Sequence, residues 1–326
     1  MFAITYRKIF LLIAAFIMVG SVVIVGVLGL KLGIDFTGGS LTEVSYQVAP
    51  EKDQVESAVA EQNFDGSSSV RASEDEAGRS AYLIRTQDLT EEQHDALTKS
   101  LTSLGEGGEI TRFTSIGPVI GQELKDKAVW AIFGVVSVII LYVAFAFSGI
   151  GTPVSSWTYG GITIFVLIHD VLVPTALIST LGHFAGVEVD VLFVMAILAV
   201  LGYSVNDTIV VFDRVRENLI LNRTEKRTKK VEAGVTHETV VYNLTKPYEE
   251  IVGSAVSETM SRSINTSMTT LIALLALYIF GGAATQIFAL VMIAGVVAGT
   301  YSSICIASPL VVAYAKWQDE KKAVAK

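Results

Sequence analysis

The sequence predicts a bundle of six membrane-spanning helices carrying one small α+β domain outside the membrane. Three observations predict it. Of the 326 residues, 51% are hydrophobic and only 17% are charged, against roughly 25% charged in soluble domains; mean hydropathy is +0.54. The apolar residues gather into six runs, each near the roughly 20 residues a helix needs to cross about 30 Å of hydrocarbon. The longest polar stretch lies between the first and second runs, and a shorter one lies between the fourth and fifth. This composition excludes a disordered chain and a soluble globular enzyme. A net charge of −8 gives no support to nucleic-acid binding. The single cysteine, Cys305, excludes a disulfide framework and a cysteine-based metal site.

The first run, residues 9–30, follows Arg7 and Lys8. It is longer than the 7–15 apolar residues of a signal-peptide core and reads as a retained span. Residues 1–30 are therefore an N-terminus plus transmembrane helix 1. Residues 31–126 carry 18 acidic against 8 basic side chains, so the low isoelectric point belongs to this segment. Residues 40–48 alternate like a strand. Residues 51–64 place Val55, Ala58 and Val59 at helical spacing. Residues 67–71 and 81–85 are short strands. Thr90 and Gln93 form a capping box, after which Ala96, Leu97, Leu101 and Leu104 line a helix face; residues 109–115 are the last strand. The order β-α-β-β-α-β is the ferredoxin-like split arrangement. The segment has no nucleophile–base pair and no metal cluster, and His94 is its only histidine, so binding or mechanics is expected of it rather than chemistry.

Residues 127–212 hold spans two to four, at 128–147, 159–181 and 191–212. Residues 213–261 form a polar loop, residues 262–314 hold spans five and six, at 264–280 and 287–314, and residues 315–326 are a tail. Lys and Arg flank span one, follow span four (Arg214, Arg216, Arg223, Lys226, Arg227, Lys229, Lys230) and follow span six (Lys316, Lys321, Lys322, Lys326). The positive-inside rule makes that side cytoplasmic, with both termini there. The loops 148–158 and 182–190 contain no Lys or Arg and are expected outside. The basic 223–230 stretch reads first as an anchor; contact with anionic lipid or a ribosome is the sharper alternative.

Ionisable groups inside spans are the informative residues, because a charge at the bilayer centre costs at least about 2.5–3.5 kcal/mol. Asp207 lies six residues before Asp213, about 9 Å deep along a helix, with Tyr203 and Ser204 one turn earlier and Asn206 beside it. Arg262 opens a polar stripe with Asn265, Thr266 and Thr269 at helical spacing. Asp207 and Arg262 can face each other. Three readings stay open: a proton relay, a static ion pair, or an arginine reaching the interface. His169 and Asp170 sit mid-span in span three, either lining a hydrated path or packing against other polar groups. Pro174 and Pro309 permit kinks. The small residues Gly281–Ala284, Gly295, Ala298 and Gly299 suit close helix packing. Gly38 and Gly39 read as a tight turn in preference to a ligand site.

Five strings, in order, resemble the SecD/SecF protein-export family: Gly33-Ile34-Asp35-Phe36-Thr37-Gly38-Gly39-Ser40, the stretch Ile116 to Leu124 with Gly117-Pro118, His169-Asp170, the stretch Tyr203 to Asn218, and the stretch Arg262 to Thr270. The resemblance implies half of a resistance-nodulation-division bundle in the bacterial cytoplasmic (inner) membrane. It implies a complex with SecD giving twelve spans, beside the SecYEG translocon, with YajC as a further partner. A translocating preprotein is then the cargo, and membrane lipid the surroundings. It implies that proton flow through the spans moves the outer domains, that Asp207 and Arg262 carry the proton relay, and that Asp35, Gly38, Gly39, Gly117 and Pro118 are structural. His169, Asp170, Tyr203, Ser204, Asn206, Asn265, Thr266 and Thr269 are candidates for an accessory polar path. Sodium is the alternative coupling ion; no cofactor is expected. One departure is a longer stretch between Asp207 and Arg262, with the excess near residues 223–247.

Two other readings compete. An efflux transporter of the same superfamily ordinarily carries two such halves and larger outer domains on one chain. An intramembrane protease requires Gly-x-Gly-Asp or His-Glu-x-x-His; Asp207 follows Val205-Asn206, and the zinc motif is absent. No phosphate-binding Gly-x-x-x-x-Gly-Lys-Ser/Thr loop is present either. A non-enzymatic, ion-driven subunit is expected.

Overall fold

A computed structural model describes residues 2–64, 68–75, 77–146, 154–232 and 235–324. Ser67 of the expected second strand, Phe147 at the end of span two, residues 148–153 of the following loop and the last two tail residues lie outside the described residues.

A short α1 (Phe2–Thr5) leads into α2 (Arg7–Leu28), and α3 (Ile34–Thr37) enters the outer domain. The domain runs β1 (Gly39–Ser45), α4 (Lys52–Glu61), β2 (Ser69–Glu74), β3 (Ser80–Thr86), α5 (Glu91–Thr102) and β4 (Glu109–Ile116). Its antiparallel sheet has the order β2-β3-β1-β4, which is the ferredoxin-like topology. Val44, Val55, Val59, Ile84, Leu97 and Leu101 form its core, and the buried Tyr46 hydroxyl donates to the Leu101 carbonyl at 2.8 Å. The Thr90–Gln93 capping box forms, as does a second between Glu51 and Gln54. Ala96 is exposed, because the inward face is set by Leu97 and Leu101 and a neighbour is turned about 100° away.

Among the described residues, six helices are long and apolar enough to span a membrane: α2, α6 (Pro118–Ala146), α7 (Ser156–Ala185), α8 (Val191–Leu221), α9 (Tyr248–Phe280) and a composite of α10 (Ala283–Ser302), a π turn (Ser303–Ala307) and α11 (Ser308–Val324). Burial sorts them. The apolar windows of α7, α8 and the composite are 44%, 50% and 56% buried, against 11%, 6% and 17% for α2, α6 and α9. The first three are therefore the centre of the bundle, and the others its rim.

Two expectations change. The polar 213–261 segment is mostly regular: α8 continues past the apolar run to Leu221, a hairpin of β5 (Arg223–Glu232) and β6 (Val235–Leu244) follows, and α9 begins well before Arg262. Polar sequence need not stop a helix when its charges are paired: Arg214 on α8 bonds Glu258 on α9, and Asn218 donates to the same carboxylate at 3.2 Å. Second, Ala146 and Tyr159, which flank residues 148–158, lie on the same side as the termini, opposite the outer domain. Arg216 donates to the Ala146 carbonyl at 3.4 Å, and the Tyr159 and Tyr248 hydroxyls are 2.7 Å apart. Two spans precede that loop, so it must return to the side of the N-terminus. The absence of Lys and Arg from a short loop is the weaker signal.

The two glycines on α10 let it pack closely against α8. A Cβ on Gly295 would lie 2.2 Å from Val200 Cγ2, and one on Gly299 would lie 3.1 Å from Ser204 Cβ. Gly295→Val is expected to cost at least the 1–3 kcal/mol typical of overpacking and to lower the melting temperature in detergent. Gly20→Val, with nothing within 4 Å of its added carbon, is expected to be neutral in the same scan.

Candidate functional site

The polar side chains of α7, α8 and the composite helix meet inside the bundle. Asp170 on α7 is fully buried. It accepts hydrogen bonds from Ser204 of α8, from Ser302 of α10 at 2.7 Å, and from His169 Nδ1 at 2.8 Å. Asp207, one turn beyond Ser204 on α8, is also buried and accepts from Ser303. Two adjacent serines thus serve two acids on two helices. The π turn begins at Ser303, and such a bulge re-aims the side chains that follow it. Pro309 lacks an N–H for the preceding turn, and the Ser308 hydroxyl reaches back to the Ser303 carbonyl at 3.4 Å. A second branch joins α8, α9 and α10: the Tyr203 hydroxyl donates to Ser267 at 3.4 Å, and Thr300 donates to Ser267 at 2.6 Å.

The facing pair left open by the sequence is not formed. Asp207 points inward to Ser303, whereas Arg262 is exposed on α9 and makes no ion pair among the described residues. The inward face of α9 here is Ser263 and Ser267. Arg262, Asn265, Thr266 and Thr269 lie on the outward face, where Thr266 and Thr269 bond their own backbone. Around them stand exposed Met260, Ile264, Met268 and Ile272. Asn206 is exposed as well, so it stands apart from the buried network. The sequence reading missed Ser302, Ser303, Ser267 and Thr300. Their only signal was hydroxyls in otherwise apolar helices.

Above the bundle, the outer domain is fastened to the loop between α7 and α8. Arg85 on β3 donates to Glu188 of that loop at 2.8 Å, to the Leu32 carbonyl at 2.9 Å and to Thr37 at 2.6 Å. The backbone closes the same junction, Gly33 N–H to Val189 O at 2.8 Å and Val189 N–H to Lys31 O at 2.7 Å. Asp35 accepts from the Val191 N–H at 2.8 Å, and Asp190 from Phe193 at 2.8 Å. Both carboxylates thereby satisfy free donors at the start of α8. Burial raises the Asp190 carboxyl above its usual range; the Phe193 N–H opposes the shift and the Asp35 charge adds to it. Gly38 and Gly39 have φ of +74° and +124°, and a Cβ on Gly38 would lie 2.8 Å from Pro118 Cα. The Gly117 carbonyl receives the Gly121 N–H at 3.1 Å. The glycine pair and the start of α6 therefore form one close crossing.

A charge reversal probes this junction. Arg85→Glu or Glu188→Arg alone is expected to loosen the domain and lower the melting temperature of the chain in detergent. The double variant is expected to recover most of the loss, read in the same thermal scan.

Comparison with known proteins follows the same lines. Residues 96–317 match the C-terminal region of the protein export membrane proteins SecD/SecF, and residues 23–49 match the SecD/SecF GG motif. The protein translocase subunit SecF of Thermobaculum terrenum is 35% identical, with 95% of this chain and 92% of that protein covered; that of Sebaldella termitidis is 33% identical over 94% and 89%. The crystal structure of SecDF from Thermus thermophilus superposes with a TM-score of 0.78 at 29% identity, covering 95% of this chain. This chain spans only 38% of that longer protein. The match thus takes in the outer domain and all six spans, and the chain belongs to the SecD/SecF family of protein-export membrane proteins.

Proposed function

We propose that the chain is the SecF subunit of an ion-driven protein-export complex, a translocation subunit rather than an enzyme. The observation that carries this reading is the buried polar network of α7, α8 and α10, lying beneath a domain fastened to the α7–α8 loop. Protonation changes at Asp207 alter the hydrogen bonds that join α8 to α10. Movement of α8 is transmitted through Asp35, Asp190 and the Arg85–Glu188 bond to the outer domain. The coupling ion is a proton; sodium is the alternative for a carboxylate site.

SecD is the proposed partner, because the Thermus thermophilus relative is a SecDF and because the Arg262 stripe faces outward. A charged stripe at membrane depth is costly unless another polypeptide covers it. The proposed setting is the bacterial cytoplasmic membrane, with both termini cytoplasmic beside Arg7, Lys8 and Lys316. SecYEG, YajC and the translocating preprotein complete the proposed assembly.

The test is precursor processing in cells depleted of their own copies and supplied with this chain and its SecD. A proton uncoupler added once processing has begun is expected to stall it. Unchanged processing under uncoupler, with a sodium ionophore equally silent, would sink the ion-driven reading.

A further inference from the structure

We infer that the His169–Asp170 pair is a second proton-binding site of the bundle, distinct from Asp207 and joined to it through Ser302 and Ser303; this rests on the ion-driven reading above. Asp170 is 0% exposed and His169 1%. Among the described residues no Lys or Arg pairs with Asp170, so His169 is the side chain that offsets its charge. A buried carboxylate without such an offset is strongly unfavourable. With a neutral imidazole donating from Nδ1 to the carboxylate, the pair carries one net negative charge. The other ring nitrogen, Nε2, is then a bare acceptor, and it is enclosed with no hydrogen-bond partner among the described residues. An unsatisfied buried group costs about 1–3 kcal/mol. A static brace between α7 and its neighbours needs no such group, whereas a proton-accepting pair does.

The groups facing the pair agree with this. From α8 come Ser204 and, one turn on, Asp207, with Tyr203 turned to Ser267. From α10 come Ser302 and Tyr301, whose ring lies 6.3 Å from that of His169. The rim helix α2 has ionisable groups only at Arg7 and Lys8 in its first turn, and Tyr142 of α6 is exposed. One proton taken from water onto Nε2 makes the pair neutral overall. When the Nδ1 proton in turn crosses the 2.8 Å bond onto Asp170 Oδ1, Ser204 and Ser302 still donate to Oδ2, which is then the oxygen of a neutral acid and a weaker acceptor than a carboxylate. Ser302 is adjacent to Ser303 on Asp207, so loading one acid alters the hydrogen bonds of the other. Return of that proton to Nδ1 and release of the one on Nε2 to water restore the first state.

Infrared difference spectra across a pH titration test this on the full chain with its SecD in lipid vesicles. Asp207→Asn is expected to retain a titrating signal that Asp170→Asn loses, and His169→Gln to move its midpoint. Ser302→Ala keeps both ionisable groups, and is expected to shift the midpoint without abolishing it, so the site remains testable if Asp170→Asn does not fold. Processing in Asp170→Asn is expected to fall at least tenfold. A titration unchanged in both Asp170→Asn and Ser302→Ala overturns the inference, as does processing with a wild-type pH profile in Asp170→Asn. The spectra report proton binding whether or not wild-type export responds to uncoupler, so the two ideas fail separately.

Discussion

Asp207→Asn is expected to insert, fold and accumulate like the wild type, yet reduce late precursor processing to the level of uncoupler-treated cells. The substitution keeps the size and an oxygen that accepts from Ser303, the group that bonds the carboxylate now. The structural penalty is therefore about 1 kcal/mol, that of one altered hydrogen bond. What it removes is the ability to gain and lose a proton. Asp207 stands on α8, one of the most buried spans, and the start of that helix is held by Asp35 and Asp190 at the domain junction. A neutral amide fixes the contact between α8 and the π turn in one state. The check is processing of a secreted precursor, with membrane levels and melting temperature measured in parallel. Wild-type processing by the mutant would move energy coupling away from Asp207. A large drop in melting temperature with lost processing would instead make it a structural residue.

Most of the architecture was legible because the membrane imposes a length and a composition on every span. The outer domain was legible because Thr90 with Gln93, and the alternation in β1, are local signals that the tertiary fold does not override. What escaped depends on helix rotation. On α9, Ser263 and Ser267 make one polar stripe and Arg262, Thr266 and Thr269 another, about 100° apart. Spacing alone does not say which one faces inward. Similar depth in the membrane allowed Arg262 to face Asp207, yet the less polar serine stripe took the interior, where Tyr203 and Thr300 bond Ser267. Ser302 and Ser303 were silent for a different reason. A hydroxyl in a membrane helix can satisfy itself on the preceding turn, and the Gly299 and Thr300 carbonyls lie within reach of Ser302 and Ser303 here, so serines in a span carry little information until the facing acids are known.

The outward position of Arg262 makes its substitutions discriminating. If a SecD helix covers the stripe with an acidic side chain, Arg262→Met leaves that carboxylate unpaired, which typically costs 3–5 kcal/mol when buried. Processing should then fall nearly as far as in Asp207→Asn. Arg262→Lys keeps the charge but loses the planar fork of donors, and an intermediate, severalfold loss is expected. The isolated chain should behave in the opposite sense. There Arg262 has no ionic partner among the described residues, and replacing a charge on the surface of a membrane helix with methionine removes a penalty of about 2.5–3.5 kcal/mol on insertion scales. Arg262→Met is therefore expected to leave the melting temperature of the chain alone unchanged or raised, and to lower that of the complex. An equal fall in both would place the role of Arg262 inside this chain. No change in either, with full processing, would leave it an arginine that reaches the membrane interface and nothing more.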